Sequence, residues 1–170
     1  MSGFIELETA RGYNAASDNF FSSHITVKAK NGGYVSLEGA NFEYKCKPVW
    51  KEDELTGISI DLIFFVNVSQ QTTPENIYTK DYIAYLQTEA AKVLDAEMLD
   101  VIKLSQKANS DFLALNDRVR VANPVRWERV KNGWNALFPK LEITAKTRVV
   151  IRRPYDIRMP VGSEEGVRDE

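Results

Sequence analysis

The sequence predicts a single, soluble α+β domain, and three patterns carry that expectation. Two runs of period-2 alternation are joined by Asn31, Gly32 and Gly33. Such a turn supplies the positive φ angles that close a β-hairpin. Between residues 75 and 108 there is no proline or glycine, and apolar side chains recur every three or four positions. That is the period of a long helix with one buried face. After residue 140 the alternation returns. Strands, then helix, then strand describe helices packed on a mostly antiparallel sheet. Five or six strands are expected, in an open or OB-like arrangement, with one long and one short helix against them.

Taken in order, residues 4–8 alternate weakly and read as a first strand. Residues 11–23 contain Gly12, Asn14, Asp18, Asn19 and three serines, and read as a loop pinned by Phe20 and Phe21. Residues 25–30 and 34–38 are the hairpin strands. Residues 42–50 form a third strand with Phe42, Tyr44 and Cys46 turned inward. Pro48 places its end near an edge, because proline cannot donate to a ladder. The charged turn 51–54 leads into the most apolar run, 58–68, expected to be central. Thr73, Pro74 and Glu75 have the order of a cap, a first helical proline and an early acid. The stripe from Ile77 through Tyr82, Leu86, Leu94 and Met98 to Ile102 should then lie across the sheet. Residues 118–121 alternate like a short strand. Pro124 opens a second helix bearing Trp127, Val130 and Trp134, and Pro139 stops it. In the final strand, residues 141–153, Leu141, Ile143, Ala145, Val149 and Ile151 take one face, and Lys146, Arg148 and Arg152 the other. The domain is expected to span 1–158, with 159–170 as an acidic tail.

Composition narrows the function classes. With 44% hydrophobic residues among 170, the chain can bury a real core. No stretch approaches the ~20 apolar residues of a membrane span. The first residues carry acids where a secretory leader carries bases, so the expectation is a cytoplasmic protein with no membrane partner. Cys46 is the only cysteine, which excludes an internal disulfide and a thiolate zinc site; a buried thiol is expected. His24 is the only histidine. Nucleophile elbows, His-Glu-x-x-His and phosphate loops are absent, so no catalytic residue, metal ligand or cofactor is assigned and a non-enzymatic role is favoured. Glu43 and Lys45 have the Glu-x-Lys spacing of magnesium nucleases, which needs a second carboxylate from Glu38 or Asp61. An exposed strand face is the better explanation of these residues.

Charge distribution is the strongest functional signal. Residues 1–117 carry a balance of −7, residues 118–158 one of +8, and residues 159–170 one of −3. Cations at alternate strand positions lie about 6–7 Å apart and can follow a phosphate backbone. Arg126, Arg129, Lys146, Arg148, Arg152 and Arg153 are the expected nucleic-acid contacts, with Tyr155 as a stacking surface. The expected function is non-catalytic binding of single-stranded nucleic acid by a homo-oligomer. In composition, though through no motif, a basic β-rich body with an acidic tail resembles phage single-stranded DNA-binding proteins. The alternative is a structural protein, such as a virus-particle component, whose acidic and basic surfaces join its own subunits; its location would then be the virion.

Overall fold

The computed structural model describes residues 7–18 and 23–152. A four-stranded sheet runs in the order β1 (His24–Lys28), β2 (Tyr34–Lys51), β3 (Glu54–Gln71), β4 (Glu142–Ile151). The pairs β1–β2 and β2–β3 are antiparallel, and β3–β4 is parallel. A parallel neighbour demands a long crossover, and the helices supply it. These are α2 (Lys80–Lys107), α3 (Leu115–Ala122), α4 (Pro124–Val130) and α5 (Trp134–Leu137), with single 3-10 turns at Lys131–Gly133 and Phe138–Lys140. Before the sheet stands α1 (Leu7–Ala16).

The α+β class is as expected, but among the described residues the sheet has four strands rather than five or six, for three physical reasons. Residues 34–38 and 42–50 are one strand, carried through a register shift between Gly39 and Asn41. Gly39 permits this because a Cβ there would sit 2.5 Å from the ring of Phe64. Residues 118–121 belong to α3. Leu115 and Val119, four apart, are buried while Val121 is 71% exposed, so the Arg-Val alternation conceals a helical period. Residues 7–16 are helical where a strand end and a loop were expected; residues 4–6, Phe20, Phe21 and the tail 159–170 lie outside the described residues. The sheet is not an OB barrel, since β1 and β4 occupy opposite edges.

Gly32 and Gly33 adopt φ of 103° and 79° and close the first hairpin in the register Val27↔Val35 and Ile25↔Leu37. Helix α2 starts not at Pro74 but at Lys80, where the Thr79 hydroxyl accepts the Tyr82 N–H at 3.3 Å. Glu75 has other donors. Its carboxylate accepts from the Asn31 side chain at 2.6 Å and from the Tyr82 hydroxyl, tying this loop to the hairpin turn. Along α2, Tyr82, Leu86, Ala90, Leu94, Met98, Val101 and Ile102 are buried. The core they share includes Ile58, Ile60, Leu62, Phe64 and Val66 of β3, each such side chain worth about 1.5–3 kcal/mol of burial. Helix α1 approaches α2 closely at Gly12, where a Cβ would lie 2.4 Å from the Glu97 carbonyl oxygen. Arg11 clamps the pair, donating to both Glu97 carboxylate oxygens and to the His24 carbonyl at 2.7 Å.

The β4 edge is closed by α2. The Thr147 N–H donates to Asp95 at 2.6 Å and the Ile151 N–H to Gln87 Oε1 at 3.0 Å. These two edge amides, which would otherwise seek another strand, are thus satisfied within the chain.

Candidate interaction surface

Register fixes which side chains share a face. In β2 and β3, Phe42↔Phe64, Tyr44↔Leu62 and Cys46↔Ile60 face the helices, and in β4 so do Ala145, Thr147 and Val149. The intervening residues form the opposite face. Its rows are Asn41–Phe65–Val150, Glu43–Ile63–Arg148, Lys45–Asp61–Lys146 and Lys47–Ser59–Thr144. Ile63 and Phe65, though central in their rows, stay partly exposed, as does Val150 on the edge strand. Among the described residues no helix covers this face.

Among the cations on it are Lys45, Lys47, Lys146, Arg148 and Arg152. The carboxylates on it include Glu43, Asp61 and Glu142, with Glu38 and Glu54 nearer its ends. Lys45 and Lys146 flank Asp61, about 10 Å apart across two strand spacings. Among the described residues none of the five cations forms an ion pair within 4 Å. Arg152 instead lays its guanidinium 4.7 Å from the Phe65 ring centre, and its N–H bonds the Val66 carbonyl at 2.8 Å.

The structure therefore divides the residues singled out from sequence. Lys146, Arg148 and Arg152 come together on the open face. Arg126 and Arg129 do not: they lie on α4 and reach Asp53 in the β2–β3 turn, Arg129 at 2.7 Å and Arg126 at 3.9 Å, with Arg126 also stacked 5.4 Å from the Trp50 ring. Arg118 pairs with Asp18 at 3.1 Å and Arg120 with Asp117 at 3.0 Å. Arg153 and Tyr155 lie outside the described residues. Lys45 was singled out only in the Glu-x-Lys pattern, and Lys47 was missed. Their signal was the inward alternation of Phe42, Tyr44 and Cys46, which turns residues 43, 45 and 47 outward; that β2 lies one strand from β4 was not readable.

On the helix side, a cleft of about 450 Å³ opens between β2 and α3, lined by Asp18, Tyr44, Cys46, Asp117, Arg118 and Val121 among others. Burial pushes the Cys46 thiol up to about 11, so it stays protonated and poorly nucleophilic. Burial likewise raises the Tyr44 phenol, which donates to the Ala16 carbonyl at 2.8 Å. Arg118 is held by Asp18 and by the Tyr44 ring. The cleft offers packing and shape rather than an acid–base pair. Glu43, Lys45 and Asp61 share the open sheet face, and Glu38 sits by His24 at 3.9 Å. Among the described residues no three His, Cys, Asp or Glu side chains converge as metal donors, and no helix is long and apolar enough to cross a membrane.

Comparison with known proteins gives a consistent answer. The family profile described as spore germination B3/GerAC like, C-terminal, matches residues 1–155. Spore germination protein B3 of Bacillus subtilis (strain 168) is 29% identical over 73 residues, 42% of this chain and 20% of that protein. Spore germination protein KC of the same organism is 29% identical over 72 residues, 42% of this chain and 18% of that protein. A crystal structure of the GerBC protein superposes with a TM-score of 0.73 at 18% identity, covering 89% of this chain and 47% of that one. The chain thus spans about a fifth of the curated relatives and about half of the solved chain.

These matches overturn the expected function. Single-stranded nucleic-acid binding and the virus-particle alternative both give way to a spore germination family. The expectations of a nucleic-acid or self-associating partner without a membrane, and of a cytoplasmic or virion location, fall with them. The physical source of the error is visible in the arginines. Much of the basic segment's charge is neutralised by Asp18, Asp53 and Asp117, so net charge along the sequence overstated the cationic surface.

Proposed function

The chain belongs to the spore germination B3/GerAC-like, C-terminal family, and from that premise we propose that it is a non-catalytic domain of a germinant-receptor subunit of the C type. It acts at the spore inner membrane, beside the other subunits of the receptor. The observation that carries this reading is the family match across residues 1–155, supported by the names of the B3 and KC relatives. The geometry agrees in kind. A sheet that packs helices on one face and leaves the other open suits a domain that works by contact, and the saturated polar groups of the cleft give no reacting centre.

The test is made in spores of the source organism. The tagged full chain is expected to fractionate with the inner membrane and to bring the other receptor subunits down after mild cross-linking. Deleting it should slow nutrient-triggered germination at least tenfold while leaving intact a trigger that bypasses the receptors. Recovery of the chain without receptor subunits, together with normal germination after deletion, would rule the reading out.

A further inference from the structure

We propose that the open sheet face docks directly on an anionic phospholipid surface. This rests on the membrane-seated reading above and deepens it by naming what the face touches. Three observations lead there.

The first is charge. On the half of the face built by β2, β3 and β4, six cations, Lys45, Lys47, Lys51, Lys146, Arg148 and Arg152, stand among five acids, Glu38, Glu43, Glu54, Asp61 and Glu142, and none of these cations is ion-paired among the described residues. Arg118, Arg120, Arg126 and Arg129, on the helical layer, each have a carboxylate partner. Unpaired lysines also occur elsewhere, as at Lys80, Lys107 and Lys140, but the six above share one surface, where they complement a sheet of lipid phosphates.

The second is what lies between them. Ile63, Phe65 and Val150 are partly exposed, and Val49 is 47% exposed. Long cationic side chains with apolar residues at their feet match the headgroup region, where charge stays at phosphate level and hydrocarbon sits just below. An acidic protein partner would also satisfy the charges, but the cleft between β2 and α3 lies on the helix side rather than on this face. The broad face of three long strands suits a surface better than a peptide.

The third is edge protection. The β4 edge is closed by Asp95 and Gln87 of α2. Along β2 beyond β1, Phe42 bonds its own neighbour's Asn41 side chain at 2.8 Å, and Pro48 removes a donor. Strand addition is disfavoured at both places, so the face rather than the edge is what the sheet offers.

The experiment is flotation of the full chain with vesicles of 30% phosphatidylglycerol in phosphatidylcholine, against pure phosphatidylcholine, at low and physiological salt. The chain should float with the anionic vesicles only, and more salt should weaken binding. Lys146→Glu/Arg148→Glu should lower partitioning at least tenfold, Lys146→Gln/Arg148→Gln by less, and Lys103→Glu, on the helical layer, not at all; circular dichroism verifies that each is folded. Equal binding to neutral vesicles, no binding to anionic ones, or parental binding by the folded charge-reversed variant would overturn the proposal. Binding seen only after residues 159–170 are removed would also overturn it, since the tail would then be the occupant. Failure here is distinguishable from failure of the receptor reading. A chain that co-isolates with receptor subunits but ignores vesicles loses this inference alone, and one that binds vesicles but never meets the receptor loses the reading on which it rests.

Discussion

Asp95 shows how a single half-buried acid can serve structure at some electrostatic cost. Its Oδ1 accepts the Thr147 N–H on the β4 edge, while desolvation raises its carboxyl above the ordinary range, opposed by its bonds to Thr147 and by the Lys146 charge. A raised carboxyl favours the protonated form in the folded chain. Its contribution is therefore present below the ordinary carboxylate value, near 4, and is lost as pH rises through the raised one. Asp95→Asn keeps an acceptor oxygen and removes the charge, so stability at pH 7 should match or exceed the parent by up to about 1 kcal/mol, with a flatter profile over that window. Asp95→Ala leaves a buried amide unsatisfied and should cost about 1–3 kcal/mol. Urea denaturation of both variants between pH 4 and 7 checks the pair; an Asn variant as damaged as the Ala variant would show that the charge itself is needed.

Among the elements, the ones with a strong local signal were legible and the ones set by tertiary contacts were not. The Asn31-Gly32-Gly33 turn and the α2 stripe follow from backbone chemistry and period, and both are where the sequence placed them. The start of α2 was misplaced because Thr73, Pro74 and Glu75 have a capping pattern, yet Glu75 is drawn off by Asn31 and Tyr82. Helix α1 was hidden because Gly12 and the small residues around it suggest a loop; what they provide is close approach to α2. Gly12→Ala tests this by setting two effects against each other. Alanine favours an isolated helix by about 1 kcal/mol, but its Cβ would meet the Glu97 carbonyl oxygen at 2.4 Å. Backbone cannot step aside cheaply, and separating the helices would also strain the Arg11–Glu97 clamp. A net loss of about 1–3 kcal/mol is expected, read as a lower urea midpoint with unchanged slope; a gain in stability would mean that α1 is not seated there.

At the scale of the whole molecule, the helical layer neutralises its own arginines and the opposite sheet face keeps its cations available. Half of that face was legible: Lys146, Arg148 and Arg152 follow from alternation in one strand. Lys45 and Lys47 come from the part of the chain whose net charge is negative, and only the strand order β2-β3-β4 brings them alongside. The family, too, was beyond reach, because no short motif with its own chemistry marks it. The domain's contribution to germination through its open face is tested most directly by nutrient-triggered germination of spores whose chain carries Lys45→Glu/Lys146→Glu/Arg148→Glu, beside spores carrying Lys103→Glu on the helical layer, with equal protein levels verified. The first should germinate as slowly as the deletion and the second at the parental rate. Parental germination in both would contradict such a role.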